Sequence, residues 1–110
     1  MRHPERLRDR SWVDRVEIVT GDAQDVAAVN EALTDIDVAY YLVHSMGAHG
    51  DYRQADIDAA TAFGRAAKAA GVRRIIYLGG LGDPENVKSK HLVSRQEVGA
   101  CLAAAGVPVA

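Results

Sequence analysis

His91 and Arg95 are the residues whose types and spacing most directly suggest chemistry. They lie four positions apart in the stretch HLVSR, so a helix would place both side chains on one face. An imidazole, with an ordinary pKa of about 6.5, can exchange protons, whereas an arginine keeps its charge and binds anions. The pair could therefore transfer a proton and hold a phosphate, or it could be a polar patch on a helix surface.

The segments around this pair alternate between predicted strands and predicted helices. Apolar or alternating β-branched runs predict strands at 16–22, 37–45 and 72–80, with another beginning at 107. Apolar residues at helical spacing predict helices at 25–36, 52–70 and 91–106, with Asp25 as an N-cap or first-turn acid, and Gly71 and Gly106 ending the last two. This alternation indicates an α/β fold with a parallel sheet, whose nearly all-apolar strands are covered by helices on both faces.

Composition excludes several classes of protein. With 110 residues, of which 48% are hydrophobic and 25% charged, the chain can form one small globular domain. A net charge of −2 gives no electrostatic reason to expect nucleic acid or a membrane as a partner, and no apolar run is long enough to span a bilayer. The single cysteine, Cys101, excludes an internal disulfide and a cysteine-rich metal site. We expect a cytoplasmic protein without a metal site, with Cys101 buried and with Tyr40, Tyr41 and Tyr77 in the core.

Five segments together resemble the atypical short-chain dehydrogenase/reductases, and among them the NmrA-like NAD(P)H-binding proteins. The segments are RHPERL, VEIVTGDAQD, DVAYYLVHSM, AAKAAGVRRIIYLGGLG and HLVSRQEVG, and they span essentially the whole chain. The resemblance implies a doubly wound parallel-sheet Rossmann fold, from the end of the family's second strand to the start of its sixth. Residues 1–110 would then be one partial NAD(P)-binding domain, without the first strand, the glycine-rich phosphate turn and the C-terminal part.

The resemblance also implies which residues contact the cofactor. Arg2, at the end of the family's second strand, would bind the extra phosphate of NADP, which favours NADP over NAD; the alternative is an ordinary exposed arginine. Asp22 would accept a hydrogen bond from the adenine amino group, and Ala23 would donate its backbone N–H to the ring. Asp22 could instead, or in addition, cap the next helix. The other expected contacts lie near strand ends or on the next helix: Leu42, Val43, His44, Gly79, Gly80 and Arg95.

The catalytic residues of the family are altered in this chain. Reductases of this superfamily use a Ser or Thr after the fifth strand and a Tyr-x-x-x-Lys on the next helix. Here Gly79 and Gly80 provide no hydroxyl, and His91 and Arg95 occupy the tyrosine and lysine positions. His91 is the candidate proton donor and Arg95 the candidate contact to ribose or phosphate. Loss of one member of such a unit removes most of its activity.

These features predict an NAD(P)-binding domain of an atypical reductase-like protein, with an NADPH-dependent oxidoreductase of unknown small-molecule substrate as one outcome. A non-catalytic NAD(P)H sensor or scaffold is the first alternative, and a sugar-nucleotide epimerase or dehydratase is the second. A third is a doubly wound domain that binds a partner and no nucleotide. Whether the longer protein that would contain this partial domain is an enzyme stays open. The isolated 110 residues are expected to be inactive and to self-associate through an open sheet edge.

Overall fold

The structure is a computed structural model that describes residues 1–43, 52–79 and 90–110. Two short 3-10 helices, Pro4–Leu7 and Val13–Arg15, come first. The elements that follow are helix α1 (Val26–Ala32), strand β1 (Val38–Tyr41), helix α2 (Tyr52–Ala70), strand β2 (Arg74–Tyr77) and helix α3 (Lys90–Ala104). The predicted alternation of strands and helices is therefore confirmed from α1 onward, with shorter strands than the sequence indicated.

The sheet consists of parallel segments with β2 in the middle. On one side β2 pairs with β1, with Ala39 opposite Ile75 and Tyr41 opposite Tyr77. On the other side residues 108–110 run parallel to it: the Ile75 N–H donates to the Pro108 carbonyl, and the Ala110 N–H donates to the Ile75 carbonyl, both at 2.9 Å. The predicted parallel sheet and the predicted extended segment from residue 107 onward are confirmed.

The segment 16–22 does not form a strand of this sheet, so that prediction is wrong for the described residues. Two of its backbone groups pair instead with the first residue of the chain. The Met1 ammonium group donates to the Val19 carbonyl at 2.6 Å, and the Gly21 N–H donates to the Met1 carbonyl at 3.0 Å. This pattern is that of a parallel pair, but a single residue beside the segment gives a ladder too short to define a strand.

The sequence indicated the start of α1 and the ends of α2 and α3, whereas α1 ends at Ala32 and not at the predicted residue 36. Asp25 is the N-cap of α1, because its carboxylate accepts from the N–H groups of Ala27 and Ala28 at 3.1 and 3.4 Å. Gly71 follows α2 with a φ of 78°, and Gly106 follows α3 with a φ of 98°. Both angles lie in the left-handed region, which glycine adopts without steric cost.

One core joins the three helices to one face of the sheet. Tyr41 and Ile75 are almost fully buried, and they belong to the same cluster as Val29, Ala67 and Leu102 from the three helices. At Gly64 the backbones of α2 and α3 approach closely, since an added Cβ there would lie 3.1 Å from the Leu102 carbonyl oxygen. All three helices therefore pack against the face that carries Tyr41 and Ile75.

The opposite face of the sheet is exposed in the described part of the chain. Val38, Tyr40 and Leu42 alternate with the buried residues of β1, and Tyr40 is 68% exposed. Leu78, just after β2, is 77% exposed. The predicted cover on both faces is therefore wrong for the described residues, and so is the core position of Tyr40.

The other residues expected in the core differ in how far they are buried. Tyr41 is fully buried and Tyr77 packs against the core, as predicted. Cys101 is half-buried against the same cluster. None of the helices described is both long and apolar enough to cross a membrane.

Candidate functional site

The carboxyl ends of β1 and β2 meet at one edge of the sheet, the place where open α/β sheets bind ligands. We call this the strand-end edge: residues 42–43 after β1 and residues 78–79 after β2. Leu42 and Val43 are exposed there, and Gly79 is half-buried. Three of the predicted contact residues thus lie together. His44 and Gly80, the next residues along each segment, fall outside the described residues.

Arg2 and Asp22 form a second group of predicted contact residues. The backbone pairing of Met1 with 19–21 brings them side by side, with Arg2 Nε 4.0 Å from Asp22 Oδ2. The side chains are 70% and 48% exposed, so this loose ion pair contributes on the order of 0–1 kcal/mol and leaves both groups open to a ligand.

The turn after Gly21 fixes the position of the Asp22 carboxylate. Asp22 Oδ1 accepts from the Gln24 N–H at 2.9 Å, and the Asp22 carbonyl accepts from the Asp25 N–H at 2.9 Å. The helix cap is Asp25, so the alternative role of Asp22 as the cap of α1 is wrong. The half-buried Ala23 follows in the same turn. A Cβ on Gly21 would lie 2.6 Å from Ala28 Cβ, and this close approach holds the turn against α1.

Tyr77 links the end of β2 to α3. Its hydroxyl donates to the Arg95 carbonyl at 2.9 Å, and its ring faces two glycines. A Cβ added at Gly79 or Gly99 would come within 3.3 or 3.4 Å of the ring. Burial raises the pKa of Tyr77, and the nearby Arg95 guanidinium opposes that rise. The phenol is therefore neutral, and its proton is already donated to a backbone carbonyl.

Asp56 is a buried carboxylate that sequence reasoning missed. It is 8% exposed and lies on α2, three and four positions before the buried Ala59 and Ala60. Burial is the main cause that raises the pKa of Tyr41 above its ordinary range, and the charge of Asp56 adds to it. The charge of Asp56 also raises the pKa of Tyr77. The helical spacing of Asp56 to the alanines at 59 and 60 was the signal that could have identified it.

A bidentate ion pair joins the first turn of α2 to the second turn of α3. Arg53 Nε and Nη2 donate to Glu97 Oε2 and Oε1 at 2.8 and 2.6 Å. The hydrogen bonds from Arg53 are the main cause that lowers the pKa of the Glu97 carboxyl. Glu97 lies two residues after Arg95, so the pair restrains the part of α3 nearest the strand-end edge.

His91 and Arg95 both lie in α3, as predicted, and their spacing places them on one face of the helix. Arg95 is half-buried, and its charge acts on the Tyr77 phenol. The side chain of His91 is outside the described part of the structure. Within residues 1–43, 52–79 and 90–110, no three His, Cys, Asp or Glu side chains come close enough to hold a metal ion.

Two structures of triphenylmethane reductase from Citrobacter sp. have a similar fold. The first, from work on the bioremediation of triphenylmethane dyes, has a TM-score of 0.74 and 20% identity and covers 98% of this chain and 36% of that chain. The second, complexed with NADP(H), has a TM-score of 0.68 and 20% identity. It covers 86% of this chain and 32% of that chain. This chain thus spans about a third of the length of these structures. At such identity the likeness establishes the fold, and it confirms the predicted Rossmann-like arrangement.

The sequence itself matches a family model described as NAD(P)H-binding over residues 1–106. No curated protein is similar enough to count as a match. The matched range takes in the Arg2–Asp22 pair, the strand-end edge and α3, and it leaves out only the last four residues. The chain therefore belongs to the NAD(P)H-binding family.

Proposed function

We propose that the chain forms the middle part of an NADP-binding domain in an atypical reductase-like protein. The observation that carries this proposal is the Arg2–Asp22 pair, an exposed guanidinium beside an exposed carboxylate, in a chain of the NAD(P)H-binding family. The cofactor would lie with its adenosine end at this pair and continue along the strand-end edge. The assignment to the NmrA-like group and a cytoplasmic location remain predictions.

The exposed groups fit the adenosine end of NADP. The Arg2 guanidinium, 70% exposed and only loosely paired, has donors available for a phosphate in bidentate geometry. The Asp22 carboxylate, held by the Gln24 N–H, can accept from the adenine amino group, and Ala23 would donate its N–H to the ring. A second phosphate on the ribose would bind Arg2 through charge-assisted hydrogen bonds that NAD cannot form, so we infer a preference for NADP.

The strand-end edge fits the remainder of a dinucleotide. Leu42 and Val43 present apolar surface to a ribose, and Gly79 lies beside them at the end of β2. Arg95, across the edge on α3, would hold a ribose hydroxyl or a phosphate. The cofactor, when bound, would supply a hydride; the residues of this chain would bind it and orient it.

The partial character of the domain is also part of the proposal. A doubly wound fold covers both faces of its sheet, and here Tyr40, Leu42 and Leu78 are exposed on one face. The chain also spans about a third of the similar reductase structures. Further parts of a longer protein would cover this face, and without them the 110 residues would self-associate.

A titration of the full-length protein with NADPH and with NADH, followed by fluorescence, tests the function. We expect Arg2→Ala to weaken NADPH binding by about tenfold or more and NADH binding much less, since a charge-assisted bond contributes roughly 1.5–3 kcal/mol. Arg10→Ala is the matched control, because it removes the same charge from an exposed position in the same segment. Equal losses for the two cofactors would refute the NADP assignment, and no saturable signal with either would refute the function.

A non-catalytic NAD(P)H sensor is the second candidate, and two observations favour it. Gly79 offers no hydroxyl, and the Tyr77 hydroxyl is committed to the Arg95 carbonyl, so it cannot replace the missing tyrosine donor. His91 is then the proton donor that an enzyme would use. Substrate-dependent oxidation of NADPH in the presence of aldehydes, ketones or quinones separates the candidates: turnover with any of them supports the enzyme, and binding without turnover supports the sensor.

A further inference from the structure

We propose that Tyr77 is a positioning residue, which holds the second turn of α3 against the end of β2 and thereby places Arg95 for contact with the cofactor. The inference rests on the proposed function, because it assigns Arg95 to the cofactor side of the site. It is carried by one hydrogen bond and by the packing of two glycines against the same ring.

The hydrogen bond joins two parts of the chain that are 18 residues apart. In an α-helix the carbonyl of Arg95 accepts from the N–H four residues on, which belongs to Gly99. A carbonyl oxygen has two lone pairs, so the Tyr77 hydroxyl is a second donor to it, at 2.9 Å. The contact therefore leaves the helix intact while fixing the distance between the Arg95 backbone and the strand end.

The packing around the ring permits this contact. A Cβ at Gly99 would lie 3.4 Å from two ring carbons, and a Cβ at Gly79 would lie 3.3 Å from one of them. Both distances are tighter than ordinary side-chain contacts, so the missing side chains let Tyr77 approach α3 and the 78–79 segment together. Its ring also lies 6.1 Å from that of the buried Tyr41, which limits its movement on the core side.

Arg95 also acts on the phenol through its charge. Arg95 is half-buried, and its charge counteracts the effect of burial on the pKa of Tyr77. The hydrogen bond to the Arg95 carbonyl therefore carries the inference, and the effect of the Arg95 charge on the phenol agrees with it.

A double-mutant cycle in the full-length protein tests the inference. We expect Tyr77→Phe to weaken NADPH binding by about threefold to tenfold, the effect of one neutral hydrogen bond. Arg95→Met should weaken binding at least as much. In the Arg95→Met background, Tyr77→Phe should then have almost no further effect, because it acts through Arg95. Tyr41→Phe is the matched control: it removes the hydroxyl of a neighbouring buried tyrosine outside the site and should leave the affinity unchanged.

Equal effects of Tyr77→Phe in both backgrounds would overturn the inference, since a merely structural role lowers affinity whether or not Arg95 is present. An unchanged affinity in Tyr77→Phe would overturn it as well. A ligand-free measurement separates it from the proposed function: the NMR resonance of the Arg95 Nε–H should move in Tyr77→Phe and not in Tyr41→Phe. If the resonance moves in a protein that binds no dinucleotide, the positioning of Arg95 by Tyr77 is supported and the cofactor function is refuted. If the resonance does not move, the inference is refuted.

Discussion

Gly21→Ala tests the close approach that holds the Asp22 turn against α1. The new Cβ would lie 2.6 Å from Ala28 Cβ, whereas carbon atoms pack best at about 3.5–4.0 Å. The turn and the helix must therefore separate by about 1 Å, and overpacking of this kind costs about 1–3 kcal/mol. For a chain of this length, each kcal/mol lowers the melting temperature by about 4–8 °C.

Ala28→Gly removes the Cβ atom with which the new side chain would clash. Gly21→Ala and Ala28→Gly can therefore be combined in a double-mutant cycle. Alone, Ala28→Gly should cost about 1 kcal/mol through helix propensity. Combined with Gly21→Ala, it should leave a total loss close to that of Ala28→Gly alone, because the clash is gone. Urea unfolding followed by circular dichroism measures each variant. Additive losses in the double variant would refute the steric account of Gly21.

Two further predictions concern pH. The lowered pKa of Glu97 gives stability that is present above its unfolded pKa, 4.5, and lost as pH falls through the folded value. Glu97→Gln should therefore cost up to about 1 kcal/mol at pH 7 and flatten the loss of stability below pH ~5, since Arg53 and Glu97 are partly exposed. The raised pKa of Tyr41 affects the stability of the protein in alkali. The contribution of the buried neutral phenol is fully present below its unfolded pKa, 10.0, and is lost as the pH rises further. Tyr41→Phe keeps the ring and should lose less stability than the wild type between about pH 10 and 12.

Urea unfolding across the pH range measures both effects. Glu31→Gln, on the exposed surface of α1, is the control for Glu97, and an identical acid profile in the two variants would contradict a specific role of the Arg53 pair. In Tyr41→Phe the loss of stability at alkaline pH should become smaller but should not disappear, because Tyr77 also has a raised pKa. An unchanged alkaline profile in Tyr41→Phe would mean that its phenol is not buried as described.

The local elements could be predicted from the sequence because their signals lie within a few residues. Asp25 caps α1, and Gly71 and Gly106 end the other helices, since each conformation depends on the residue itself and its neighbours. The parallel order of the sheet followed from apolar strands that alternate with helices. The predicted strand at 16–22 was wrong because a strand needs a neighbouring strand, and among the described residues the segment pairs only with Met1.

The sequence by itself determined the alternation of elements, the family and the positions of Arg2, Asp22, Gly79 and Arg95 along the chain. Only the tertiary structure decided which residues of different elements come into contact. The contact of Tyr77 with Arg95 joins residues 18 apart. The pair of Arg53 and Glu97 joins residues 44 apart on different helices. Helical and strand periodicity report on residues a few positions apart. These contacts instead depend on how the helices pack on the sheet, which the periodicity of the sequence does not show.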